Sequence, residues 1–279
     1  MRIVTALKIE ALPIIEFYQL KRIEGNLAFP IYTNGNLFLV VSGIGKVRSA
    51  AATSYLHVKS GNLENQPYLN IGIAGHHSTV TDTAVIANKI TDQAAGNSWY
   101  PSQLIFDSLE RSALVTVDTV ESQYKNDAAY DMEASGYHPI ALRITSAELV
   151  QTLKVISDNP VDSAETLDSI RIETLIGNHI DKIDSFSRHL QTLSHAITSS
   201  APEYWKLQPF LERWHFSVTQ EHQLRKILVR WSLLTQKENP LTSIPLNCKN
   251  ANQAIKTLEN ELLARPMNLH TKTYQSKMS

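Results

Sequence analysis

Three acidic residues far apart in the chain, Glu10, Glu133 and Asp158, each stand where a strand-like run ends: RIVTAL before Glu10, AYDM before Glu133 and LKVIS before Asp158. Carboxylates gathered in one dry cleft can divide acid and base work, because burial and mutual repulsion push their pKa values apart. A single acid at a strand end more often caps a helix or sits in a solvated turn. Three of them, at strand ends that an open α/β sheet brings to one cleft, suit the breaking of a bond that needs both a proton donor and a proton acceptor.

The elements that must position these acids alternate in type. RIVTAL (2–7) precedes an apolar-periodic stretch through Tyr18, and LFLVVSGIG (37–45) leads into the small-residue helix KVRSAAATSYL. PYLNIGIAG (67–75), TAVIANKI (83–90), SALVTVD (112–118) and TLKVISD (152–158) supply further buried strands. This βαβ rhythm predicts a mixed, largely parallel sheet with helices on both faces and ligands at the carboxyl ends of its strands.

From Pro160 the pattern turns helical, with Leu167, Ile170, Leu175, Ile176, Ile180, Ile183, Phe186, Leu190, Leu193 and Ile197 at helical spacing. They mark one amphipathic helix or a broken pair, ending near Ser199–Ser200–Ala201–Pro202. Beyond it, Trp205 and Trp214 are expected as core anchors. Ser217 and Gln220 form a capping box before LRKILVRWSLL, and Asn250 with Gln253 starts a last helix to about Leu263. The expectation is an α/β domain over 1–199, a helical extension over 200–264 and a loose polar tail over 265–279.

Composition narrows the function classes. With 279 residues, 43% apolar and 19% charged, the chain can bury a sizeable core. A net charge of −1 gives no global attraction to nucleic acid or an anionic membrane. Cys248 is alone, so no internal disulfide forms, and no apolar run approaches the roughly 18 residues needed to cross a bilayer. A soluble cytoplasmic protein is expected. Arg225, Lys226 and Arg230 could form a nucleic-acid surface, but beside Leu224, Ile227, Leu228 and Trp231 they read first as the solvated edge of a packing face. Adjacent His76 and His77 point apart and lack partners at zinc spacing, so lining a base or facing solvent is expected of them.

Taken in order, MRIVTALKIEALPI (1–14), SGIGKVRSAAA (42–52), NIGIAG (70–75), YDMEASG (130–136) and KVISDN (154–159) resemble the purine nucleoside phosphorylase superfamily. The chain looks most similar to its hydrolase branch, the 5′-methylthioadenosine/S-adenosylhomocysteine nucleosidases. The resemblance implies a nucleoside phosphorylase-like three-layer fold over about residues 1–198. It also implies hydrolysis of the N-glycosidic bond of an adenine nucleoside with a small or apolar 5′ group, releasing adenine. Methylthioadenosine, S-adenosylhomocysteine and 5′-deoxyadenosine are the substrates to consider. No cofactor or metal is implied, and a homodimer is, because family members complete the 5′ pocket from a neighbouring subunit.

Roles carry over by position. Glu133 would hold the ribose 2′ and 3′ hydroxyls with Met132 against the sugar, Asp158 would protonate the purine at N7, and Glu10 would activate water. Ser157, beside Asp158, and Ile73, Ala74 and Gly75, where the family has Ser-Ala-Gly, would line the substrate. Val120 or Glu121 takes the place of the family's base-stacking aromatic residue, unless a shifted alignment brings Tyr124 there. Asp131 is expected to turn away from the sugar. Gly43 and Gly45 could cradle a phosphate, but their spacing reads as a strand-to-helix turn. ALKIEALPI lacks the arginine of a phosphate loop, which favours water as acceptor; Arg48 is the nearby cation that keeps phosphorolysis as the alternative. A non-catalytic nucleoside-binding or interaction module is the remaining reading.

Overall fold

The run RIVT, buried along its whole length, forms the first strand, β1 (Arg2–Thr5), and alternates its side chains between two cores. Ile3 packs with one hydrophobic cluster and Val4 with another on the opposite face of the sheet. The computed structural model describes residues 1–103, 109–162, 167–200, 207–234 and 239–264. They pack as two units, Met1–Ala196 and Ile197–Ser279. Trp205, the break at Ala201–Pro202 and the tail after residue 264 lie outside the described residues.

The first unit follows the alternation of its sequence: α1 (Lys8–Phe17), β2 (Lys21–Arg22), β3 (Ile31–Thr33), β4 (Phe38–Val41), α2 (Lys46–Lys59), β5 (Tyr68–His76), β6 (Ala84–Asp92) and β7 (Ser98–Trp99). Then come β8 (Glu110–Thr116), β9 (Ala129–Asp131), α3 (Ala134–Ala141), β10 (Val150–Asp158), α4 (Ser169–Asn178) and α5 (Ile180–Ser200). The short strands β2, β3 and β7, at two or three residues, are too brief to leave a period in the sequence.

All ten strands join one mixed sheet. β1 pairs in parallel with β4 and β5, and β5 with β10. β10 also pairs antiparallel with β6, β6 runs parallel to β8, β8 to β9, and β9 returns antiparallel to β5. Five strands, β5, β9, β8, β6 and β10, therefore close a ring. Because β10 has neighbours on both sides and layers on both faces, every residue from Val150 to Asp158 is buried.

Helices cover both faces, giving the expected three layers. On one side Ile14 of α1, Leu175 and Ile176 of α4, and Ile183, Phe186 and Leu190 of α5 pack with Ile3, Leu39 and Ile71. On the other, Ala52 and Leu56 of α2 and Tyr137 and Ala141 of α3 pack with Val4, Val40 and Val150. The expected helical stretch after Pro160 is a broken pair, interrupted at His179, whose Nε2 lies 2.9 Å from the Asp82 carbonyl.

Among its described residues the second unit has helices and turns but no strand, with α6 (Gln208–Leu211), α7 (Val218–Leu234) and α8 (Ala251–Ala264). Leu224, Ile227, Leu228 and Trp231 of α7 face Ala254, Ile255 and Leu258 of α8, with Trp214 in the same core. Arg225, Lys226 and Arg230 stay exposed. The Ser217–Gln220 capping box forms at 2.8 and 3.3 Å, and Asn250 Oδ1 accepts from Gln253 N at 3.0 Å. Among the described residues no helix is long and apolar enough to cross a membrane.

Candidate active site

Glu10 lies in the first turn of α1 and folds its carboxylate back over the end of β1. Its Oε2 accepts from the N–H groups of Ala6 (3.0 Å) and Leu7 (2.8 Å), and its Oε1 from Ile73 N on β5 (3.0 Å). The acid thus caps its own helix and pins it to the neighbouring strand. A carboxylate has about four acceptor positions, so one remains for a group in the cavity that Glu10 lines. Burial raises its pKa above the usual carboxylate value, against the opposing pull of Lys154 and the three N–H donors.

Glu133 stands between β9 and α3. Its Oε1 accepts from Gly45 N at 3.0 Å and its Oε2 from Met132 N at 3.3 Å, tying it to the turn that starts α2. That closeness depends on Gly136, where a Cβ would come within 1.9 Å of the Lys46 carbonyl oxygen. The small residues after Glu133 therefore let α3 press backbone to backbone against α2. Burial pushes the Glu133 carboxyl up to about 7, with Lys154 opposing and Asp131 adding to the rise.

Asp158 ends β10 at an irregularity. The pairing with β5 slips between Ile156 and Asp158, leaving Ser157 as an extra residue, and a bulge of this kind re-aims side chains. Adjacent Ser157 and Asp158 consequently both reach the cavity wall. Ser157 Oγ donates to Asp158 Oδ1 and the Tyr124 hydroxyl donates to Oδ2.

Every residue expected at the site lines one cavity of about 260 Å³: Glu10, Ile73, Ala74, Gly75, Val120, Glu121, Met132, Glu133, Ser157 and Asp158. Leu7, Ile44, Val117 and Leu167 add apolar wall. Val120, at 73% exposure, stands at its edge and cannot enclose a ring alone, whereas Tyr124 is 3% exposed. The inward aromatic residue is thus the one reached by the shifted alignment.

Two features differ from expectation. Asp131 does not simply turn away: it contributes to the cavity wall, and its buried carboxylate accepts from Thr116 Oγ1 at 2.7 Å and Ala134 N at 2.9 Å. It also holds Lys154 Nζ at 2.9 Å, which lies 3.9 Å from Glu133. His76 lines no base and is not exposed; its Nδ1 accepts from Ser78 N and Thr79 N at 3.0 Å, and its Nε2 sits 3.0 Å from Ser112 Oγ. It braces a turn as a neutral imidazole, with burial lowering its pKa.

Lys154 is the residue that sequence reasoning passed over. Burial alone would lower its pKa, but Asp131, Glu133 and Glu10 together hold it above its usual value. It is the cation balancing three buried acids. The signal was a lysine inside the otherwise apolar strand run TLKVIS, since a lysine is almost never fully buried unless paired.

Comparison with solved structures places this fold. A futalosine hydrolase mutant of Helicobacter pylori superposes with a TM-score of 0.52 at 18% identity, covering 66% of this chain and 96% of that one. A putative 5′-methylthioadenosine/S-adenosylhomocysteine nucleosidase from Francisella philomiragia gives 0.51 at 18% identity, over 66% and 96%. The corresponding nucleosidase from Campylobacter jejuni gives 0.52 at 18% identity, over 70% and 98%. This chain has the nucleosidase fold. No protein-family model and no curated protein matches it. In the nucleosidase fold as this chain builds it, the acids come from α1 just after β1, from the junction of β9 with α3 and from the end of β10, and the β5 segment Ile73–Gly75 also lines the cavity.

Proposed function

We propose that this protein hydrolyses the N-glycosidic bond of an adenine nucleoside carrying a small or apolar 5′ group, releasing adenine. The observation that carries the proposal is the convergence of Glu10, Glu133 and Asp158 on one largely apolar cavity, in a fold shared with nucleosidases.

Cleaving a ribosyl–purine bond passes through an oxocarbenium-like state with a poor anionic leaving group. The C1′–N9 electron pair leaves with the base, and Asp158 supplies a proton at N7 so that the base departs neutral. Water attacks C1′ and gives its proton to Glu10, whose burial makes it a stronger base than an ordinary carboxylate. Glu133 grips the ribose 2′ and 3′ hydroxyls, with Met132 against the sugar. Each positioned proton transfer is worth roughly 10²–10⁴ in rate.

Water is favoured over phosphate because, among the described residues, no Arg or Lys lines the cavity. A phosphate dianion would meet Glu10 and Glu133 without a cation in contact. Arg48 is exposed and lies across Gly43 instead. The protein acts as a homodimer in this reading: exposed Ile44 and Val120 at the cavity and Val47 on α2 offer apolar surface that a second copy would cover.

The test is incubation of the purified protein with methylthioadenosine, S-adenosylhomocysteine, 5′-deoxyadenosine, futalosine or inosine, with and without phosphate, followed by chromatography of the free base. Base released without phosphate is the expected result. Strict dependence on phosphate would make the enzyme a phosphorylase, and saturable binding without release would make it a binding module.

A further inference from the structure

The Tyr124 hydroxyl is bonded to the acid assigned above to the departing base. It donates to Asp158 Oδ2 while Ser157 Oγ donates to Oδ1, so both oxygens of the acid are taken by the protein's own hydroxyls. The approach is built in. At Gly75 a Cβ would come 2.5 Å from the Tyr124 hydroxyl and 2.6 Å from Asp158 Oδ2, so glycine is what lets the two meet. The Tyr124 ring rests on Tyr130 with centroids 5.5 Å apart, and His77 Nδ1 donates to the Tyr124 carbonyl at 2.5 Å.

The two hydroxyls are held with different stiffness. Ser157 belongs to buried β10, and its Oγ also lies 3.3 Å from the Ala74 carbonyl. Tyr124 belongs to the connection 118–127, in which every residue but Glu121 and Tyr124 is exposed. Its backbone has φ of 41°, a left-handed conformation that a bulky side chain rarely occupies. Tyr124 can leave with the exposed connection that carries it, whereas Ser157 is held on a core strand. With Tyr124 turned in, the cavity of about 260 Å³ is also smaller than the roughly 300–1,000 Å³ of most small-molecule sites.

We infer that Tyr124 is an internal stand-in for the base. A nucleoside takes Asp158 by displacing the Tyr124 hydroxyl, and the free base leaves as Tyr124 returns. This rests on the proposed role of Asp158 and adds a residue that sets substrate affinity and product release.

Tyr124→Phe keeps the ring on Tyr130 and removes the competing hydroxyl. Calorimetric titration with adenine and steady-state kinetics with the nucleoside found to be cleaved test it. The dissociation constant for adenine and the KM should both fall by up to roughly tenfold, the scale of one competing hydrogen bond removed. In an Asp158→Ala background the same change should leave adenine affinity unaltered, since the competitor then has nothing to occupy. A wild-type enzyme that binds adenine, with affinity unchanged or weakened in Tyr124→Phe, would overturn the inference alone. So would a gain that persists without Asp158. Absence of adenine and nucleoside binding in wild type and variant alike would overturn the functional reading, and this inference with it.

Discussion

Lys154 Nζ lies 2.9 Å from Asp131 Oδ2, with both side chains almost shut off from solvent at 3% and 0% exposure. The pair is the electrostatic centre of the site, because Glu133 and Glu10 both feel the same ammonium. Removing one partner of a buried pair leaves an uncompensated charge and costs about 3–5 kcal/mol. Lys154→Met should therefore destabilise the protein by about 3 kcal/mol or more at pH 7. The deficit relative to wild type should shrink toward pH 5, where Glu133 and Glu10, both raised by burial, take up protons and no longer need the ammonium. Denaturant titration at both pH values checks this.

Glu133 sets a slope of stability with pH. Its folded carboxyl titrates at about 7, above the ordinary value of 4.5, so between those values the folded state binds more protons than the unfolded chain. Stability from this group is present below pH 4.5 and is lost as pH rises toward 7, by on the order of 2–3 kcal/mol. Glu10, also raised, tilts the curve the same way. Measured across pH 5–8, the stability of wild type relative to Glu133→Gln should fall as pH rises, whatever slope the lowered pKa values of His138 and the buried N-terminus give the two proteins in common.

Asp158→Asn removes the proton donor of the proposed mechanism while keeping a side chain of the same shape. Base release should drop by roughly 10²–10⁴, with the melting temperature nearly unchanged. An unaltered rate would take Asp158 out of the mechanism.

Gly136→Ala drives a methyl group into the Lys46 carbonyl, which is backbone and cannot swing aside. Separating α2 from α3 costs about 1–3 kcal/mol and pulls Gly45 N from Glu133. The variant should melt earlier and show a raised KM. Thermal unfolding and kinetics measure the two effects together.

Much of this site was legible because its residues sit at strand ends, where short apolar runs stop at an acid. Glu10, Glu133 and Asp158 needed only the inference that such ends converge, and the sheet brings them to one cavity. Lys154 was missed because its role is visible only once its three acidic neighbours, scattered across the chain, are packed around it. Tyr124 was ambiguous for a different reason. It lies in a connection with no period, and its inward position comes from a left-handed backbone and from space left at Gly75, neither of which a linear pattern encodes. The bulge at Ser157 is equally silent in sequence, because LKVISD reads as plain strand whether or not its pairing slips.

The closed ring of β5, β9, β8, β6 and β10 divides the labour of the chain. The relative placement of Glu10, pinned to Ile73, and Asp158, paired across from Gly75, is set by the register of two neighbouring strands and owes nothing to loop length. Connections such as 118–127 lie outside that pairing. A lineage using this scaffold can change what it accepts while keeping what it does, and the place to engineer a new substrate preference is the connection bearing Tyr124, with the ring left alone.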